Sequence, residues 1–171
     1  MWSWVNVMKP LAIIAALLML SSCGFTPVYG IASDAQTPVA AQLSQIYIDN
    51  IPNREGQVLR NRLIDRFYRN GRPAAPDYTL SVRNLREQKI DLDITKTSDS
   101  TRAQLRVEGT LELRNKASDE ILLQRNLRTI TSYNILGSEF ATRITESDAR
   151  ENALKAIAEQ IEIQLGLYFN R

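Results

Sequence analysis

The sequence contains no histidine and only one cysteine among its 171 residues. Without histidine, the Ser-His-Asp and Cys-His catalytic arrangements and the common zinc sites are excluded. The single thiol has no partner within the chain, so an intrachain disulfide is excluded as well. No glycine-rich phosphate loop follows a strand, and no carboxylate pair or serine-lysine spacing stands out. We therefore expect no enzyme activity, no cofactor and no bound metal.

Net charge is small as well. The chain has 21 lysines and arginines against 19 aspartates and glutamates. Because Lys9 is the only charged residue before Cys23, the remainder carries a net charge of about +1, which gives no argument for nucleic-acid binding. Most of the basic residues are arginines, whose guanidinium groups suit phosphate or carboxylate partners.

Apolar residues form one notable uninterrupted run, Leu11 to Leu20, which follows Lys9 and leads into Ser21-Ser22-Cys23. Its ten residues are far fewer than the roughly 20 that a helix needs to span a bilayer. A charge, a short apolar run and small residues are typical of a secretory signal. A cysteine after Leu-Ser-Ser resembles the lipobox of bacterial lipoproteins, which implies cleavage of residues 1–22 and a lipid on Cys23. The alternative is a plain secretory signal with an incidental cysteine.

The segment after Cys23 is rich in proline, glycine and small polar residues, so residues 23–44 are predicted to be a lipid-anchored linker. A short strand is predicted from Gln45 to Ile51. Asn53 is the predicted N-cap of an amphipathic helix that ends near Asn70-Gly71. The apolar positions of this helix are spaced by four and are Leu59, Leu63 and Phe67.

Three strands are predicted next, over about 78–94, 101–113 and 120–133, and the second alternates most clearly between apolar and polar residues. Apolar residues of paired strands must share a face, which fixes a register for the first two. The predicted pairs are Leu92–Leu105 and Ile90–Val107 on the buried face, with Asp91–Arg106 and Lys89–Glu108 on the outer face. A loop is predicted at 97–100. Asn84, Arg86 and Gln88 then fall on the apolar face, so either the strand bends there or these side chains reach a partner or the edge of the layer.

A long helix is predicted from Ser138, with a narrow apolar stripe at Ala149, Ala153, Ile157, Ile161 and Leu165. The element order is strand, helix, three strands, helix. Neither helix can bury its stripe alone, so both are expected to cover one face of a four-stranded sheet. The predicted fold is an α+β two-layer sandwich over residues 45–171, preceded by a cleaved lipoprotein signal peptide.

The segment from Cys23 to Gly30 reads Cys-Gly-Phe-Thr-Pro-Val-Tyr-Gly and resembles the mature N-terminus of the LptE family of lipopolysaccharide-assembly lipoproteins. Val28 stands where that family usually has leucine. The resemblance implies an outer-membrane lipoprotein that plugs the LptD barrel, helps it assemble and helps lipopolysaccharide reach the outer leaflet. Lipopolysaccharide itself is a possible partner. Gly24 after the cysteine is consistent with sorting to the outer membrane.

Basic residues on the outer sheet face and at the hairpin tip are the candidate contacts with an anionic partner. They are Lys96, Arg102, Arg106 and Arg114. A mixed-charge outer face suits the polar lumen of a barrel, and it suits an ordinary solvated sheet equally well. The competing function is a lipoprotein accessory subunit of an envelope lipid-transport ABC system.

Overall fold

The computed structural model describes residues 38–69, 71–94 and 100–170, and these belong to one compact unit. The segment 1–37, with the predicted signal and Cys23, lies outside the described residues, as does the hairpin tip at 95–99 with Lys96. The elements in chain order are α1 (Pro38–Leu43), β1 (Ile46–Ile48), α2 (Asn53–Phe67), β2 (Tyr78–Ile94), β3 (Ser100–Asn115), β4 (Ile121–Asn134) and α3 (Glu139–Phe169).

The four strands form one mixed sheet in the order β1-β2-β3-β4. β1 runs parallel to β2, whereas the β2–β3 and β3–β4 pairs are antiparallel. The described helices pack on one face, where a single apolar core joins α1, α2 and α3 to all four strands. The predicted α+β class and four-stranded sheet are therefore confirmed, with three helices instead of two.

The third helix is α1, which lies inside the segment that the sequence predicts to be a linker. It packs against α3, and Leu43 belongs to the buried core. Its six residues have no acidic side chain in the first turn and no basic side chain in the last, so charge does not distinguish them from a linker. Pro38 is the first residue of α1, where its missing N–H removes no helical hydrogen bond.

The two long helices use the predicted apolar stripes. Leu59, Leu63 and Phe67 of α2 are buried, and so are all five predicted positions of α3. Ser138 caps α3, because its hydroxyl accepts a hydrogen bond from the N–H of Ala141. The predicted cap at Asn53 is wrong: Asn53 has a φ of 69° and is already the first residue of α2, which has no side-chain cap. None of the described helices is long and apolar enough to cross a membrane.

The predicted hairpin register is wrong beyond the middle of β2. A β-bulge places Asn84 and Leu85 opposite Gly109 alone, and Asn84 has a φ of 54°. One extra residue moves every later side chain of β2 to the other face. The observed pairs beyond it are Arg86–Glu108, Glu87–Val107, Lys89–Leu105, Ile90–Gln104, Asp91–Ala103 and Leu92–Arg102.

The bulge determines which residues of β2 face the helices. Before it, Leu80 and Val82 point into the core, as the alternation predicts. After it, Glu87 and Lys89 face α3, whereas Ile90 lies on the opposite face. The far half of β2 is therefore attached to α3 through charged side chains instead of apolar ones.

Candidate functional site: the open face of the sheet

The sheet face that points away from the three described helices is the candidate functional site, and we call it the open face. The alternation along the strands assigns side chains to it, and none of the helices in the described ranges packs against it. Its charged members within the described strands are six arginines and two glutamates: Arg83, Arg86, Arg102, Arg106, Glu108, Glu112, Arg114 and Arg128. The charged residues of the open face therefore carry an excess of positive charge, and they lie beside apolar side chains such as Ile90 and Ile130.

Glu112 lies between two of these arginines. One of its oxygens accepts hydrogen bonds from Nε of Arg83 at 3.0 Å and from Arg114 at 3.2 Å. The Glu112 side chain is only 10% exposed, so its charge depends on both guanidinium groups for compensation. Arg114 also reaches the carboxylate of Asp119 at 3.6 Å in the turn after β3. This end of the open face is well paired.

Glu108 is held less closely by its two arginines. Arg86 on β2 lies 3.5 Å from its carboxylate, and Arg128 on β4 lies 3.7 Å away. Beside this group the bulge leaves a concavity of about 640 Å³ whose lining includes Arg86, Glu108, Asn126 and Arg128. Such long, exposed ion pairs contribute little to stability, so these side chains can exchange partners at small cost.

The structure describes three of the four predicted anionic-partner contacts. Arg102, Arg106 and Arg114 all lie on the open face, as predicted, whereas Lys96 is outside the described residues. They lie along β3, and the 12 residue steps from Arg102 to Arg114 span about 40 Å, so these arginines do not form one compact site. Nε of Arg106 is buried without a hydrogen-bond partner among the described residues.

Sequence reasoning missed the arginines that neighbouring strands contribute. Arg83 and Arg86 both reach the open face only because the bulge separates them, so no simple alternation finds both. Arg128 has the same parity along β4 as other open-face residues. Because the apolar pattern of β4 is weak, the sequence analysis did not assign Arg128 to either face of the sheet.

The opposite face carries a second charged group, which we call the charge network. Arg150 of α3 donates two hydrogen bonds to Glu87 of β2, at 2.8 and 2.7 Å, and one to Glu146 at 2.9 Å. Glu146 also lies 3.5 Å from the ammonium group of Lys89 and accepts a hydrogen bond from the hydroxyl of Tyr133 at 3.3 Å. These contacts join β2, β4 and α3.

The network shifts the pKa of four side chains: Lys89, Tyr133, Glu146 and Arg150. Burial by itself would raise the pKa of Glu146, but the hydrogen bond from Arg150 and the charge of Lys89 together hold this pKa below its usual range. The interaction with Tyr133 raises the pKa of Lys89, and burial raises that of Tyr133. The pKa of Arg150 is raised chiefly by its hydrogen bonds to Glu87. These four side chains therefore keep their usual charge at neutral pH.

Comparison with known proteins identifies the family. The model of the LptE family, described as lipopolysaccharide-assembly, matches residues 43–165, which is most of the described domain. The chain belongs to the LptE family. Membership confirms the family that the N-terminal motif predicted, and it assigns the chain to a family of lipoproteins of lipopolysaccharide assembly.

Solved structures share the fold of this LptE chain at low sequence identity. A protein described as a lipoprotein from Caulobacter crescentus CB15 is 20% identical, with a TM-score of 0.64, over 77% of this chain and 96% of that one. Lipoprotein B from Nitrosomonas europaea is 15% identical, with a TM-score of 0.59, over 73% and 83%. Rare lipoprotein B from Shewanella oneidensis is 14% identical, with a TM-score of 0.53, over 70% and 90%. No curated protein matches the chain in sequence.

Proposed function

We propose that this protein is an outer-membrane lipoprotein, anchored through Cys23, that sits as a plug in the lumen of the LptD barrel. In this role it helps the barrel assemble and helps lipopolysaccharide reach and enter the outer leaflet. The observation that carries the proposal is the family match over residues 43–165. The protein has no catalytic step in this proposal, because its contribution is to occupy the barrel and contact its contents.

The open face supports the proposal on physical grounds. The interior of a large membrane barrel is polar, so a plug needs a polar surface that can form hydrogen bonds with its wall. The open face offers arginine side chains from three neighbouring strands, including the loosely paired Arg86 and Arg128. Guanidinium groups bind carboxylates of a barrel wall and phosphates of lipopolysaccharide in the same bidentate way.

The test is recovery of the partner with tagged, lipidated protein from detergent-solubilised membranes. We expect the LptD barrel to copurify with the wild-type chain. Arg106→Glu on the open face should lower its recovery about tenfold, the scale of a disrupted interfacial charge contact. Lys155→Glu, at an exposed position of α3, is the matched charge reversal and should leave recovery unchanged.

One result would contradict the proposed function, and a second would contradict the part given to the open face. Recovery of an inner-membrane permease complex in place of the barrel would favour the accessory subunit of a lipid-transport ABC system. Equal loss of the barrel with Arg106→Glu and Lys155→Glu would mean that the open face has no special part in the contact.

A further inference from the structure

β4 is the last strand of the sheet, and no strand in the described part of the chain pairs with its outer edge. The strand is 14 residues long, and its pairing with β3 is continuous from Leu123 to Asn134. A long unpaired edge can act as a template for another strand, so natural proteins usually interrupt or shield such edges. β4 contains no proline or glycine, and its stretch 129–134 carries no charge. Its sequence therefore provides none of the usual interruptions.

Backbone hydrogen bonds identify the residues of β4 that point outward. In an antiparallel pair, successive residues alternate between bonding to the neighbouring strand and pointing away from it. The N–H of Ile135 donates to the carbonyl oxygen of Thr101 on β3, so the odd-numbered residues before it also bond to β3. The even-numbered residues therefore direct their N–H and C=O groups to the outer edge: Arg128, Ile130, Ser132 and Asn134.

Two side chains of α3 support this assignment. Nε2 of Gln160 donates to the carbonyl oxygen of Arg128 at 3.2 Å, and the hydroxyl of Thr145 donates to that of Asn134 at 3.1 Å. Both acceptors are even-numbered, as expected of carbonyl oxygens that β3 does not use. These contacts lie at the two ends of the outward row. Between them, the outward backbone groups of Ile130 and Ser132 have no hydrogen-bond partner among the described residues.

The far half of β2 also extends past its neighbour, because β1 covers only its first residues, Tyr78 to Leu80. That edge is protected in two ways. β2 contains a bulge, and beyond it Glu87 and Lys89 point towards α3. Bulges and inward-pointing charges are devices that prevent strand addition. β4 has neither between Leu123 and Asn134, so its edge is the better acceptor.

The charges of β4 indicate which kind of strand fits beside it. Its two charged residues are Arg125 and Arg128, and it has no acidic residue. The side chain of Arg128 is 56% exposed and lies 3.7 Å from Glu108, which is a loose contact. A carboxylate opposite Arg128 on an added strand would be attracted, whereas a basic residue there would be repelled. A second copy of β4 would bring two more arginines and no carboxylate, so an acidic strand of another protein fits better.

We propose that the outer edge of β4, from Arg128 to Asn134, binds an extended acidic segment of the LptD barrel by strand addition. This inference rests on the proposed function, which supplies the partner. The backbone groups of Ile130 and Ser132 form the central hydrogen bonds with the added strand, and Arg128 pairs with one of its carboxylates. In this mode of recognition, main-chain hydrogen bonds supply affinity and side chains supply specificity. Such a polar contact suits the polar lumen of a barrel.

Ser132→Pro tests the backbone contact. Proline lacks the N–H, and an edge strand tolerates it where that N–H faces away from the neighbouring strand. In the lipidated full chain, the substitution should lower copurification of the barrel about tenfold, because a carbonyl oxygen of the added strand loses its donor. Ser132→Ala is the matched control, since it removes the hydroxyl but keeps the N–H, and it should retain the barrel.

Charge reversal tests the chemistry of the partner. Arg128→Glu should lower recovery of the barrel about tenfold, because it places like charges opposite each other. Arg125→Glu is the matched control, since Arg125 is exposed on the same strand but lies on the other face of the sheet. Undiminished recovery with Arg128→Glu, or equal loss with both variants, would overturn the proposal of an acidic segment.

Hydrogen exchange of the wild-type chain gives a measurement that needs no variant. In the free lipidated chain in detergent, the amides of Ile130 and Ser132 should exchange quickly. Those of Thr129 and Thr131, which bond to β3, should exchange slowly. In the purified complex with the barrel, exchange at Ile130 and Ser132 should slow at least about tenfold, because the added strand accepts hydrogen bonds from both amides.

The outcomes separate this inference from the proposed function. Slow exchange at Ile130 and Ser132 in the free chain would overturn the inference, because another part of this chain or a second copy would then cover the edge. Unchanged exchange in the complex, or full recovery of the barrel with Ser132→Pro, would overturn it and leave the proposed function standing. Failure of the wild-type chain to recover the barrel would overturn both. If Ser132→Pro does not fold, exchange in the wild-type complex decides.

Discussion

Replacing Arg150 or Glu87 should weaken the attachment of α3 to β2. Arg150 donates two hydrogen bonds to the carboxylate of Glu87, at 2.8 and 2.7 Å, across elements that are far apart in sequence. The two side chains are 28% and 25% exposed, so solvent screens the pair only in part. The bulge in β2 is the reason that this contact exists, since it turns Glu87 towards the helix.

The expected coupling energy follows from this geometry. Hydrogen bonds to charged groups contribute about 1.5–3 kcal/mol when they are well buried. Fully exposed ion pairs contribute about 0.2–1 kcal/mol. A bidentate pair at intermediate exposure should lie between these limits, at about 1–2 kcal/mol. For a domain of this size, that energy corresponds to a melting temperature lower by about 3–6 °C.

A double-mutant cycle measures the coupling directly. The chain from Asp34 onward is unfolded with urea as wild type, Glu87→Gln, Arg150→Gln and the combined variant. The control cycle uses Glu139 and Arg143, which form a 2.6 Å ion pair four residues apart at an exposed position of the same helix. We expect the control coupling to be below about 0.5 kcal/mol. Equal couplings in the two cycles would contradict the view that the charge network holds α3 to the far half of β2.

Four further predictions can be tested separately. Leu105→Asp should abolish the cooperative melt followed by circular dichroism, because it buries an unpaired charge, and a wild-type melt would mean that the faces of β3 are reversed. Gly56→Ala should destabilise the domain by about 1–2 kcal/mol in urea unfolding, because the added Cβ would lie 2.7 Å from the carbonyl oxygen of Ile51 in the preceding loop. This loss should occur even though alanine favours helix more than glycine does. The control is Gly137→Ala, which adds a Cβ in open space and should leave stability unchanged. Cys23→Ala should eliminate metabolic labelling with a fatty acid, and persistent label would refute anchoring at this residue. Folding lowers the pKa of Glu146, so the ionised Glu146 side chain stabilises the folded domain at neutral pH. This contribution is lost as the pH falls through the folded-state pKa. Urea unfolding should therefore show Glu146→Gln to be less stable than wild type at neutral pH and equal to it in acid.

The regular parts of the fold could be predicted from the sequence. β3 alternates without interruption, and its apolar residues Ala103, Leu105 and Val107 are buried as predicted. The stripes of α2 and α3 are equally clear, because a four-residue spacing matches the helical repeat. In each case a single local period determines which side chains face the core, so no knowledge of the neighbouring elements is needed.

The register of the β2–β3 hairpin could not be predicted in the same way. The rule that apolar residues share a face pairs Leu92 with Leu105, whereas the structure pairs Leu92 with Arg102. The rule assumes an uninterrupted strand, and the bulge at Asn84 breaks that assumption. The polar residues that interrupt the apolar pattern of β2 did indicate an irregularity there. The sequence could not say that a residue was inserted, because a bend gives the same pattern.

The unpredictable register also limits what the sequence says about the open face. The arginines of β3 were found because they alternate with buried residues on one strand. The arginines of β2 and β4 that pair with Glu108 and Glu112 of β3 were missed, because pairing across strands depends on the register. Arg86 contacts Glu108 only because the bulge brings both side chains to one face. Local periodicity therefore identified which residues are available for binding, but not which of them lie together.

The bulge also explains how one strand, β2, can contribute to two surfaces. Before Asn84, β2 follows the usual division, with apolar side chains towards the helices and polar side chains on the open face. Beyond it, Glu87 and Lys89 join the charge network on the helix side, while Arg86 borders the concavity on the open face. Directly beyond the bulge β2 therefore carries charge on both faces, which would be unfavourable inside a core. The same network joins this half of β2 to α3 through Glu146 and Arg150.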